Sequence, residues 1–204
     1  MAEKYIFINP VVLKLYDISY LKNLLTQNNF KLIFPKEDIA QIIKNKYLSL
    51  SSNSKECIID SRCPKIKDFI KNHTFSANIN PILIETALHL HAQKQKEDFL
   101  YITTPCIALE NFGNNLNLSN TLFITWNNFV SKFKLKIDLK NKKQLQNSPI
   151  PPGFFKDLES SIGKIPSVSG EQNIIKIFKE KSYKKHKLIE MLYCDNGCHN
   201  GDGI

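Results

Sequence analysis

The sequence predicts an α/β fold with mostly parallel sheets flanked by helices. Two observations lead there. Short runs of β-branched and aromatic residues alternate along the chain with segments whose apolar residues recur at helical spacing. Proline and asparagine stand at the ends of several of these runs, where they break strands or open helices. At 204 residues the chain suits one compact domain, or one domain of two lobes, with enough length to bury a core.

The elements follow in order. Tyr5-Ile6-Phe7-Ile8 reads as a strand ended by Asn9-Pro10. A helix from about Asp17 places Leu21, Leu24 and Leu25 on one face and stops at Asn28-Asn29. Lys31 to Phe34 is a second strand closed by Pro35, and a helix from near Glu37 to Tyr47 carries Ile39, Ile42, Ile43 and Tyr47 on one side. Ser49 to Ser54 reads as a polar connector. Cys57-Ile58-Ile59 is a third strand; Pro64 then opens a helix over 65–72 and Pro81 a longer one from Ile82 to about Lys96. Phe99 to Ile102 and Leu122 to Ile124 are further strands, and Thr125 caps a short helix with Trp126, Phe129, Val130 and Phe133. Residues 138–166 are rich in lysine, proline and serine and read as a linker or loop. A helix from about Glu171 to Glu180 and a strand from Leu188 to Tyr193 complete the pattern. The expected organisation is a single domain, 1–204, with a first part over 1–137 and a C-terminal part over 167–204.

Several function classes drop out. No apolar run approaches the roughly 20 residues of a membrane span, and Met1-Ala2-Glu3-Lys4 leads into a strand without a signal-peptide pattern, so a cytoplasmic protein is expected. The net charge of +9 is nearly all lysine, with Arg62 the only arginine. Nucleic-acid binders combine such charge with arginines and stacking aromatics. A solvated face or a docking surface for an acidic redox partner fits better, with the lysines gathered over 132–143 and 179–187. Nucleophile triads, a phosphate-binding glycine loop and a dinucleotide fingerprint are absent from the sequence.

The five cysteines are an odd number and the expected compartment is reducing, which favours metal or redox chemistry over disulfides. Cys63, Cys106 and Cys194 each follow shortly after a predicted strand. In open α/β sheets ligand sites gather at the carboxyl ends of strands, so the three are expected to meet at one sheet edge, with Cys198 one loop turn beyond Cys194. Thiolates bind iron–sulfur clusters or zinc. Structural zinc usually takes its cysteines in close pairs, whereas only Cys194 and Cys198 are neighbours here. From spacing, an iron–sulfur cluster, zinc and no metal all remain open. Gly197, Gly201 and Gly203, three of seven glycines, fall in the same stretch and allow backbone to approach a bulky anionic ligand. Cys57, inside a strand, reads as a small packed apolar residue.

Read together, these segments resemble the catalytic domain of the iron-only (FeFe) hydrogenases. Glu190-Met191-Leu192-Tyr193-Cys194-Asp195-Asn196-Gly197-Cys198, followed by a glycine-rich close, is similar to that family's last signature, and the ending looks most like the sensory branch. Asp60-Ser61-Arg62-Cys63-Pro64 is similar to the first signature and Thr103-Thr104-Pro105-Cys106 to the second. Pro81 stands where the family has a proline near its diiron centre. Ile8-Asn9-Pro10-Val11 and Pro151-Pro152-Gly153-Phe154-Phe155 extend the likeness, in the same order, over nearly the whole chain. The resemblance implies a compact version of the two-lobed hydrogenase domain and a 4Fe-4S cluster on Cys63, Cys106, Cys194 and Cys198, with Arg62, Pro81, Gly197 and His199 around it.

The same comparison removes half of the family's site. Its proton-relay cysteine is Arg62 here, its cyanide-binding lysine is Leu109, and its two methionines are Thr104 and Leu192, the second with Met191 alongside. Guanidinium does not release a proton near neutral pH. The expectation is therefore a cluster protein without a diiron subcluster and without catalytic residues, serving electron transfer, redox sensing or a subunit role beside a ferredoxin-like or other redox partner. Arg62 would then offset the charge of the cluster. The alternatives are a minimal hydrogenase with an altered proton path and a structural subunit that binds zinc or no metal.

Overall fold

In a parallel sheet covered on both faces every strand residue needs apolar surroundings, so such strands read as continuous apolar runs. Leu188 to Leu192 is such a run, and all five residues are buried. The computed structural model describes residues 2–71, 77–198 and 203. In chain order the elements begin with β1 (Lys4–Phe7), α1 (Pro10–Leu15), α2 (Ile18–Gln27), β2 (Lys31–Leu32), α3 (Ile39–Asn53), β3 (Ile58–Ile59) and α4 (Pro64–Ile70). They continue with α5 (Ile82–Gln93), β4 (Phe99–Thr104), α6 (Ile107–Asn114), β5 (Thr121–Thr125) and α7 (Trp126–Lys132). The last are α8 (Glu159–Ile162), β6 (Ser167–Ser169), α9 (Glu171–Glu180) and β7 (Leu188–Leu192). Among the described residues, the pairings between these strands are all parallel. Among the described residues, no helix is long and apolar enough to cross a membrane.

The chain divides into two compact units, one of residues 1–36, 83–149 and 201–204, the other of 37–82 and 150–200. Chain order does not define them. The expected first part, 1–137, is shared between both units, and the expected linker over 138–166 is divided at 149/150.

The first unit holds a four-stranded sheet in the order β2-β1-β4-β5. Tyr5 lies opposite Lys31 on one side and Leu100 on the other, so β1 and β4 flank the point where strand order reverses. One face packs Leu83, Ile84, Ala87 and Leu90 of α5 and Leu109 of α6 against Phe7, Leu100, Ile102 and Phe123. On the other, Phe30, Tyr101, Phe129 and Phe133 form an edge-on aromatic group with centroids 4.8–5.9 Å apart.

The second unit holds a three-stranded sheet, β3-β7-β6. Alternate residues serve its two faces. Ile58 and Leu188 join Ile39, Ile43, Tyr47 and Phe155, while Ile59, Ile189 and Met191 join Ile66, Ile70 and Ile174.

Five stretches differ from the sequence expectation. Asn9-Pro10 ends β1 but also starts α1: the Asn9 side chain accepts from the Val11 and Val12 amides and Pro10 opens the helix. Ser49 to Asn53 continues α3 instead of connecting it. Ser51 is buried, and Asn53 donates its side-chain amide to the Ser49 carbonyl at 2.9 Å, so tertiary packing overrides weak helix propensity. Helix α6 and strand β6 were not expected. Residues 138–166 include α8 and single 3-10 turns at 139–141 and 156–158.

Gly113 in α6 lies against the buried ring of Phe123, where a Cβ would fall 2.2 Å from ring carbons. Phe123 cannot yield easily, because its amide and carbonyl are both bonded by the Asn114 side chain at 3.0 and 2.8 Å. Alanine at 113 gains at most about 1 kcal/mol of helix propensity, against about 1–3 kcal/mol for overpacking. Gly113→Ala should lower stability in urea unfolding of the full chain.

Candidate metal centre

The parallel register of β3 and β7 determines which residues leave the sheet together. Ile59 lies opposite Ile189, and the Asp60 amide donates to the Ile189 carbonyl at 2.9 Å. Both chains therefore emerge at the carboxyl edge of one sheet, β3 running on to Cys63 and β7 to Cys194. Cys63 is the residue before Pro64, in extended conformation, and its carbonyl accepts the first turn of α4 from Lys67 at 3.0 Å.

The Cys63 sulfur is half-buried and faces backbone. Burial pushes its thiol pKa up, while hydrogen bonding from the backbone of Tyr193, Ile66 and Lys65 favours the thiolate and the nearby Cys194 opposes it. Lys65 holds its ammonium 4.9 Å from the Tyr193 ring centre. Tyr193 is hydrogen-bonded to Glu171, which raises its pKa above the usual phenol value, and it senses Cys194 and Cys63. Two sulfurs from strands far apart in sequence thus share one electrostatic neighbourhood.

The loop from Cys194 to Cys198 is fastened at several points. Asn196 and Gly197 take φ values of 57° and 129°, the second being glycine territory. The Asn196 amide donates to the Ser169 hydroxyl at 3.2 Å. Gly170, at φ 89°, leaves room for Asp195; a Cβ there would sit 2.1 Å from its carboxylate oxygen. Cys198 forms an antiparallel bridge with Ile150, donating its amide to the Ile150 carbonyl at 2.9 Å.

Arg62, immediately before Cys63, is neither on the surface nor turned to solvent. Its side chain is 10% exposed, with Asp60 and Glu190 at 0% and 1%. Nε and Nη2 donate to the two Asp60 oxygens at 2.9 and 2.7 Å, a forked pair, and Nη2 also donates to Glu190 Oε1 at 2.9 Å. The guanidinium lies 4.0 and 4.5 Å from the ring centres of Phe154 and Phe155. Burial works to lower the Arg62 pKa, but Asp60 and then Glu190 overrule it and hold the group above its ordinary value. Glu190 also accepts from the Gly153 and Phe154 amides and the Ser167 hydroxyl. Tyr47 completes the floor, its hydroxyl accepting from the Ser61 amide at 3.0 Å. One positive charge here meets two negative ones, so little of it remains to offset a cluster.

Cys106 belongs to the other unit and the other sheet. The expected single sheet edge is two edges, because β3 pairs with β7 and not with β1, β4 or β5. Cys106 follows β4 and precedes α6, half-buried against that unit's core. The Thr104 hydroxyl donates to its carbonyl at 3.0 Å. Gly203, five residues after Cys198, lies against this turn: a Cβ would fall 2.6 Å from the Pro105 carbonyl oxygen and 2.8 Å from the Cys106 nitrogen. Both are backbone atoms, so only glycine fits.

The remaining residues take plainer places. Leu109 and Met191 are core residues, Pro81 is buried just before α5, and Cys57 is packed in the core with its pKa pushed up to about 11 by burial. His199 and Gly201 lie outside the described residues. His89 stands 4.0 Å from Glu85, and His91 meets the Thr121 hydroxyl at 2.8 Å. That Asp60, Tyr47, Phe154 and Phe155 gather around Arg62 was not identified from sequence. A lone arginine beside an aspartate, in a chain with a carboxylate inside an apolar strand, was the available signal.

Among the described residues, no three histidine, cysteine, aspartate or glutamate side chains stand close enough together to hold one metal ion. A cubane makes a different demand, since each cysteine binds a separate iron. Cys63 and Cys194 follow neighbouring strands of one sheet, and Cys106 follows a strand of the other. No protein-family model matches the chain, and a search of curated proteins finds no match.

Asp60→Ala would leave the Arg62 charge buried with half its partners, a loss that typically costs about 3–5 kcal/mol. Denaturant unfolding should show a destabilisation of that order, while Asp195→Ala, at an exposed loop position, should cost much less.

Proposed function

We propose that this protein holds a 4Fe-4S cluster on Cys63, Cys106, Cys194 and Cys198 and works in electron transfer, redox sensing or as a subunit of a cytoplasmic redox assembly, without hydrogen chemistry. The observation that carries the reading is that Cys63 and Cys194 follow β3 and β7, adjacent parallel strands of one sheet, with Cys194 near enough to oppose ionisation of the Cys63 thiol. The fastened Cys194–Cys198 loop and the glycine-only contact beside Cys106 support it. When bound, such a cluster supplies reversible one-electron transfer. The chain's own residues would bind it, orient it and tune it through backbone hydrogen bonds to sulfur. Lys132, Lys134, Lys136, Lys140, Lys142 and Lys143 are all exposed and would suit an acidic redox partner.

The absence of a diiron subcluster is also part of the proposal. Where the resembling family has a relay thiol and a cyanide anchor, this chain has an ion-paired Arg62 and a core Leu109. Substituting Arg62→Cys and Leu109→Lys does not simply restore a site. The first change strands two buried carboxylates and the second puts an ammonium into the core, each costing several kcal/mol.

Two measurements test the reading. Anaerobically purified protein should contain iron and acid-labile sulfide and little zinc. Serine at Cys63, Cys106, Cys194 or Cys198 should lower the iron sharply, while Cys57→Ser leaves it nearly unchanged. After supply of a synthetic diiron complex, infrared spectra should show no protein-held carbonyl or cyanide bands, and hydrogen turnover should be absent. Zinc without sulfide would overturn the cluster, and strong bands with turnover would establish the hydrogenase reading.

A further inference from the structure

Arg62 carries more structure than its own ion pair. The segment Ile150 to Phe155 is held at both ends within one unit. At its start, Ile150 accepts the Cys198 amide at 2.9 Å. At its finish, Gly153 and Phe154 give their amides to Glu190, and Phe154 and Phe155 lay their rings against the Arg62 guanidinium at 4.0 and 4.5 Å. Among the described residues Arg62 is the charged partner of Glu190, and it reaches it with the same nitrogen that bonds Asp60. The guanidinium therefore joins β3, β7 and the 150–155 segment at one point.

We infer that Arg62 is a positioning residue that fixes two of the candidate ligands together, Cys63 as its chain neighbour and Cys198 through Glu190 and the 150–155 segment. The inference gives the ligand set proposed above its means of alignment and rests on that reading for its purpose; the coupling itself is a property of the chain alone. An extended arginine is suited to the task. Its planar fork engages two carboxylates while its faces stay available for aromatic rings, and lysine offers neither geometry. Because Asp60 and Glu190 are buried and Arg62 nearly so, breaking one contact leaves the remaining charges short of partners.

The test is amide hydrogen exchange, read residue by residue on the full, reduced chain prepared without metal. Arg62→Met removes the charge, Arg62→Lys keeps it but loses the fork, and Phe154→Leu removes one aromatic face without touching a charge. In each, exchange at the Gly153, Phe154 and Cys198 amides should accelerate together, by roughly tenfold or more. The Ile58 and Glu190 amides, bonded to the Lys187 and Pro166 carbonyls in the sheet, should change much less. Should Arg62→Met fail to fold, the two milder variants decide. Faster exchange at Gly153 and Phe154 with Cys198 unchanged would overturn the inference, as would equal acceleration at every sheet amide, which marks general destabilisation. A second readout uses protein reconstituted with iron and sulfide: iron should pass to a chelator faster in the variants, in the same order as their exchange. Wild-type protein that takes up no iron defeats the cluster reading and leaves the exchange result to judge the coupling.

Discussion

The constraint on which the second unit turns is a carboxylate in the middle of a strand buried on both faces. Glu190 shares β7 with Leu188, Ile189, Met191 and Leu192, and an ionised group there is tolerable only with close partners. Arg62 is that partner, and it brings Asp60, Phe154 and Phe155 with it. The backbone amides of Gly153 and Phe154 and the Ser167 hydroxyl also donate to Glu190. A buried ion pair of this kind is weak evidence for net stability, since well-packed apolar side chains often do as well. Its value lies in specificity: each charge stays tolerable only while all the others remain in place.

This arrangement changes the meaning of Arg62 for chemistry. A guanidinium beside an anionic cluster would raise its reduction potential if its charge were free to act there. Here the charge is met by two carboxylates before any cluster is considered. The effect of Arg62 on a neighbouring centre is then geometric more than electrostatic. Leu109, Thr104 and Leu192, the positions that the sequence resemblance singled out, are likewise employed in structure: the two leucines are buried and Thr104 bonds the turn after β4. These side chains serve packing and turns, while Cys63, Cys106 and Cys194 follow the ends of strands.

Much of the fold could be read from the chain because its signals are local. Strands β1, β4, β5 and β7 announced themselves by apolar runs, and Asp17, Pro64 and Thr125 stood at the helix starts where capping and proline chemistry put them. What stayed hidden depends on pairing across long separations. Nothing in Cys57-Ile58-Ile59 says that it pairs with β7, 130 positions later in register, so the cysteines were expected at one sheet edge where they follow strands of two sheets. The serines after Tyr47 look like a connector until Ser51 is seen to be buried. The site shows the same division. Cysteines following strands marked the sheet edges, whereas the partners of Arg62 come from three separate segments and carry no common motif.

The central claim concerns what the cysteines hold, and iron K-edge X-ray absorption on anaerobically prepared protein addresses it most directly. The account predicts iron surrounded by sulfur alone, with a short iron–iron distance in the next shell, and loss of that shell when Cys63 and Cys194 are both serine. Iron bound mainly by nitrogen or oxygen, or sulfur-bound metal with no metal neighbour, would contradict it.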